Sequence, residues 1–160
     1  MTKKEIAEKI EACEKELAAL RQKMDKPEYG GKRWEPEWGD RYYYLKSDGY
    51  IDAKSWDGLA VNPAFYLIGN VFRTYEEAEF EVERLKVIAE LSDFAEGDEA
   101  VWDGKTRHYY LFYRNYKVLT NFVTNESLGT LYFPSHEAAR AAGQAVGADR
   151  IKKYYLRVKE

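Results

Sequence analysis

The sequence predicts an α+β fold: an N-terminal coiled-coil helix, then two β-β-β-α repeats forming an antiparallel sheet with helices on one face. Three observations carry this. Apolar residues near the start recur at heptad spacing, two aromatic segments each lead into a turn and a second β-type segment, and each unit closes on a helix start of the form Phe-x-Thr or Phe-x-Ser. The expected organisation is an oligomerisation helix over 1–26, a linker over 27–37, a first unit over 38–96 and a second over 97–160.

In the N-terminal segment, Ile6, Ile10, Cys13, Leu17, Leu20 and Met24 follow one another at intervals of 4, 3, 4, 3 and 4, flanked by Lys and Glu. That narrow stripe is the seam of a coiled coil, so self-association is expected; a helix laid across its own domain is the plainer alternative. Thr2 with Glu5 fits a capping box, and Lys26-Pro27 with Gly30-Gly31 ends the helix. Cys13 falls on the seam, where it is expected to act as a small buried apolar residue and not as a reactive thiol.

The first unit contains RYYYL, a turn at Ser47-Asp48-Gly49, a second strand, the segment FYLIGNVF and a helix. The second repeats the order with HYYLFY, a turn at Arg114-Asn115, KVLTNFV, GTLYF and a helix. Tyr43-Tyr44-Leu45 corresponds to Tyr109-Tyr110-Leu111, and Phe72-Arg73-Thr74 to Phe133-Pro134-Ser135. Thr74 and Ser135 are good N-caps, and Glu77 completes a capping box with Thr74. Along the first helix Ala78, Val82, Leu85 and Ala89 form the expected apolar stripe, widened by Phe80, Val87, Ile88 and Leu91. The second is alanine-rich and stops at Gly147, so a close approach to its sheet is expected. The tail DRIKKYYLRVKE suits a short helix or an edge strand.

Composition narrows the function classes. The 160 residues carry a formal net charge of -3 from 28 acidic and 25 basic side chains, which gives no field suited to a polyanion or an anionic membrane and too little for a nucleic-acid mimic. One cysteine excludes an internal disulfide framework, and no long apolar run occurs, so a soluble intracellular protein without membrane contact is expected. Aromatic residues reach 16%, with 14 tyrosines, a residue type suited to half-exposed surfaces and binding sites.

No catalytic pattern accompanies these features. His108 and His136 are the only histidines, and neither lies in a nucleophile motif; with one cysteine they do not make a zinc site. The carboxylates Glu76, Glu77, Glu79, Glu81 and Glu83 read as a solvated helix face, and Asp40 with Asp48 is the one pair worth weighing for hydrolysis. No glycine-rich loop runs from strand into helix, which excludes the usual phosphate cradles, and no cofactor is expected. What remains is a binding surface. Arg33, Trp34, Trp38 and Arg41 combine cations and aromatics beside the linker, and Tyr43 with Tyr109 supplies candidate stacking faces, although cross-strand packing alone accounts for many of the tyrosines.

The motifs Trp34-x-Pro36, GDRYYY at 39–44, Gly69-Asn70-Val71-Phe72-x-Thr74 with the following EEAEFEVERLKVIAEL, and the ending DRIKKYYLRV resemble a family of small proteins encoded by phages and prophages of Firmicutes. The resemblance implies an accessory protein of a mobile element, acting in the host cytoplasm, for example against a defence system. Combined with the residues, the expectation is a non-enzymatic, oligomeric binding protein that sequesters a nucleotide-derived immune signal. A direct inhibitor of a host nuclease or effector, a signal-degrading hydrolase and a weak nucleic-acid binder are the alternatives.

Overall fold

The structure, a computed structural model, describes residues 9–10, 12–15, 17, 33–59, 61–127 and 129–158. The chain divides into two compact units, Met1–Trp34 and Glu35–Glu160. In the first, residues 9–10, 12–15 and 17 are helical and are termed α1. Three seam residues fall there, Ile10, Cys13 and Leu17, and all three are exposed; Ile6, Leu20 and Met24 lie outside the described residues.

The second unit is α+β, with two small antiparallel two-stranded sheets and helices. Strands β1 (Arg41–Leu45) and β2 (Ile51–Ser55) form one hairpin. A short helix α2 (Val61–Leu67) and a long helix α3 (Tyr75–Ser92) follow. Strands β3 (His108–Arg114) and β4 (Lys117–Val123) form the second hairpin, and α4 (His136–Val146) comes after it. The tail is helical, with a turn α5 (Ala148–Arg150) and a π-helical turn over Ile151–Tyr155.

Turn chemistry fixes both hairpins. Gly49 supplies the positive φ of the first loop, where Lys46 and Tyr50 close the ladder. In the second, Asn115 and Tyr116 are both left-handed, at φ 51° and 61°, as a two-residue turn matched to strand twist requires. The helix starts are equally local. Thr74 accepts from the Glu77 amide and Glu77 answers in a full capping box, while the Ser135 hydroxyl accepts from the Ala138 amide.

The expected third strands do not form. FYLIGNVF instead begins inside α2, because Pro63 is tolerated in a first helical turn and Gly69, at φ 79°, stops the helix. The stop is a Schellman motif: the Asn70 amide donates to the Phe65 carbonyl and the Gly69 amide to Tyr66. Past it, only Phe72 pairs, through two 2.9 Å backbone hydrogen bonds with Tyr43. The Asn70 side chain stands in for the next ladder rung, accepting from the Leu45 amide at 2.7 Å and donating to its carbonyl at 2.8 Å. GTLYF likewise contributes one bridge, Tyr109 with Phe133.

The core gathers Val87 and Leu91 of α3, Leu111 of β3, Phe133, Ala139, Ala142 and Val146 of α4, and Ile151. Each large apolar side chain buried there contributes about 1.5–3 kcal/mol. The residues α4 buries are Ala139, Ala142 and Val146, two of them alanines. On α3 the buried stripe runs through Ala78, Val87 and Leu91, whereas Leu85 and Ala89 are exposed. That helix is apolar over so much of its circumference that periodicity alone does not choose the face. Arg150 ties the tail to α3 through a bidentate pair with Glu90, at 2.7 and 2.8 Å, which holds the Glu90 carboxyl below its ordinary range. Among the described residues no helix is long and apolar enough to cross a membrane.

Candidate functional site

Alternation along β1 sends Tyr42 and Tyr44 to one face and Arg41 and Tyr43 to the other. The first face is interior. The Tyr42 hydroxyl donates to Asn62 Oδ1 of α2 at 2.8 Å, the Asn62 amide donates to Asp57, and Tyr44 stacks on Phe65 with centroids 4.8 Å apart. Burial pushes both phenols above their ordinary range. These two tyrosines are therefore structural.

The other face holds the candidate site. The Arg41 guanidinium lies 5.6 Å from the Tyr43 ring centroid, and Tyr43 meets the Tyr75 ring nearly perpendicular at 6.0 Å. Two backbone constraints place these groups. Tyr43 is held by its bridge to Phe72, and Tyr75 is the first residue of α3, immediately after the Thr74 cap. Arg41 is exposed, Tyr43 half-buried and Tyr75 exposed. Arg84, Arg150 and Arg157 pair with glutamates, but no carboxylate among the described residues pairs with Arg41.

Of the other expected site residues, Trp38 is 79% exposed and its ring lies over Gly58, within 3.5 Å of where a Cβ would stand. Arg33 and Trp34 belong to the N-terminal unit. Tyr109 sits on β3 in a cluster of its own. Its ring is 6.0 Å from Phe122 of β4 and 6.3 Å, edge-on, from His136 at the start of α4. Arg107 lies 4.4 Å over the Phe122 ring and, like Arg41, has no carboxylate partner among the described residues. Sequence reasoning missed Tyr75, Arg107, Phe122 and His136 as partners. The available signal was position: Tyr75 and His136 directly follow the two predicted caps.

Comparison with family models, with curated proteins and with solved structures gives no match. The chemistry must come from the geometry. Asp40 and Asp48, weighed as a hydrolytic pair, are not brought together. Asp40 accepts from the Glu37 amide before β1 and Asp48 from the Tyr50 amide beyond it, with roughly 16 Å of strand between. His108 is buried against Glu96 and Trp102, and His136 is exposed. Among the described residues no three His, Cys, Asp or Glu side chains come together to hold a metal ion. A guanidinium laid on an aromatic ring keeps its in-plane N–H donors for an anion, while the neighbouring ring edges and faces accept a planar group.

Proposed function

We propose that this protein is a non-enzymatic binding protein, an accessory of a phage or prophage that acts in the host cytoplasm and counters antiviral defence by sequestering a nucleotide-derived immune signal. The observation that carries the binding half of this reading is the Arg41–Tyr43–Tyr75 cluster: an exposed guanidinium, with no carboxylate partner among the described residues, held on an aromatic ring beside a second exposed ring. Packing needs neither the charge of Arg41 nor the exposure of Tyr75. A stacked guanidinium recognises phosphate through its fork, and a base adds stacking of about 1–3 kcal/mol. The resemblance to phage and prophage proteins supplies the biological half.

Self-association through α1 belongs to the same proposal, since the exposed Ile10, Cys13 and Leu17 are the residues a coiled-coil partner would cover. So does the kinship of the two halves, each a hairpin with one added backbone bridge ahead of a capped helix. A second reading, direct inhibition of a host nuclease or effector, is favoured by Trp38 and by the hairpin-tip residues Tyr50 and Tyr116, large exposed aromatics of the kind that anchor protein interfaces.

The two readings separate in one experiment. The protein is incubated with extract of defence-activated cells, repurified and heat-denatured, and the supernatant is examined by mass spectrometry. Sequestration predicts an intact nucleotide-type molecule, absent from an Arg41→Ala, Tyr43→Ala variant. A co-purifying host protein with no small molecule sinks sequestration in favour of the inhibitor.

A further inference from the structure

We infer that β3 and β4 carry a second ligand site, formed by Arg107, Tyr109, Phe122 and His136, so that each chain holds two planar anionic ligands of nucleotide type. This rests on the reading of the β1 cluster as a ligand site. The two places agree in backbone and in chemistry. Each arginine stands two residues before a tyrosine whose amide and carbonyl both bond to a bridging phenylalanine, Tyr43 to Phe72 and Tyr109 to Phe133. Three residues after each phenylalanine a helix begins on a ring that meets that tyrosine edge-on, at 86° for Tyr75 and 79° for His136.

The outer edges agree as well. Because Tyr43 and Tyr109 spend their backbone groups on the phenylalanines, the residues opposite them, Ala53 and Phe122, turn their amides outward. Each of those amides is capped by the preceding side chain, Asp52 at 2.8 Å and Asn121 at 2.9 Å. A capped edge does not extend its ladder to a further strand there, which leaves the rings and the arginine as the features that recognise a partner.

The difference between the sites is instructive. Phe122 replaces Ala53 opposite the tyrosine, and Arg107 packs on Phe122 at 4.4 Å, closer than Arg41 lies to Tyr43 at 5.6 Å. Arg107 is thereby oriented in advance, with no carboxylate among the described residues to neutralise it. A planar ring to stack and one anionic group to fill the fork match a base bearing a phosphate. A nucleic-acid strand would call for a continuous basic track, which a net charge of -3 with dispersed carboxylates does not offer.

The test is a nuclear magnetic resonance titration of the full chain with AMP, following backbone amides and arginine Nε–Hε signals, with adenosine, inorganic phosphate and a single-stranded oligothymidylate as separate arms. The expected result is saturable shifts at both Arg41 and Arg107, with adenosine or phosphate alone binding at least about tenfold more weakly. Arg107→Ala, and equally Arg107→Lys, which keeps the charge and loses the fork, should erase the β3 response, leave the β1 response in place and preserve the remaining spectrum. Shifts confined to β1, or a β3 response that survives Arg107→Ala, overturn the second site while leaving the first. Silence at both clusters overturns both readings, and tighter binding of oligothymidylate than of AMP overturns the free-nucleotide class.

Discussion

Replacing His108 by alanine should destabilise the protein by about 2–3 kcal/mol. His108 is 1% exposed; Nδ1 lies 2.6 Å from Glu96 Oε2 and Nε2 2.9 Å from the Val101 carbonyl. It is stacked on Trp102 at 3.7 Å. Leaving a buried hydrogen-bond acceptor without its partner costs about 1–3 kcal/mol, and loss of a stacked ring adds about 0.5–1.5 kcal/mol. The Glu96 side chain is 12% exposed, so water partly rehydrates the stranded carboxylate and the sum falls toward the lower end. For a domain of this size that corresponds to a drop of roughly 5–10 °C in Tm. Urea denaturation should move the midpoint at unchanged slope, and Glu96→Gln should cost much less in the His108→Ala background than in the wild type. A loss under about 1 kcal/mol, or additive effects of the two substitutions, would mean that His108 and Glu96 do not stabilise the fold as a pair.

Other perturbations follow from single features. Tyr116 is 93% exposed at φ 61°, so Tyr116→Gly should relieve left-handed strain and raise stability by about 0.5–1 kcal/mol, seen as a higher Tm; a lower Tm contradicts this. Glu90 is held below its ordinary value by hydrogen bonds from Arg150, so its stabilisation is present above the usual glutamate range of about 4.3 and is lost as pH falls through the depressed folded value. The urea-midpoint gap between wild type and Glu90→Gln should therefore shrink on acidification from pH 7 to 3, and a constant gap would count against the pair. A chain lacking residues 1–26 should sediment with fewer subunits per particle than the full chain; an unchanged number of subunits rules out self-association through α1.

What was legible in the sequence is what short-range chemistry determines. Thr74, Ser135 and Gly147 mark helix ends because caps and positive φ are local requirements, and Ser47-Asp48-Gly49 and Arg114-Asn115 mark turns for the same reason. The helix α2 was missed because VNPAFYL is only seven residues long, and Phe65 owes its place to a long-range stack on Tyr44. The missing third strand turns on Asn70, whose side-chain amide imitates a backbone rung that no pattern of hydrophobicity encodes. At the site, Arg41 and Tyr43 were visible as neighbours on one strand face. Tyr75 and Phe122 join their clusters only through the Phe72 bridge and the β3–β4 register, which are tertiary facts.

Recovery of signalling separates sequestration from degradation of the signal. The protein is added in molar excess to the heat-cleared supernatant of defence-activated cells, which carries the nucleotide signal, and fresh effector is exposed to this mixture either directly or after the mixture has been heated to denature the protein and cooled. Sequestration through Arg41 and Tyr43 predicts that activation is abolished before heating, restored in full after it, and never lost with the Arg41→Ala, Tyr43→Ala variant. Activation that stays lost after heating means the signal was degraded, and activation that the protein never suppresses means it was never bound; either result contradicts the account.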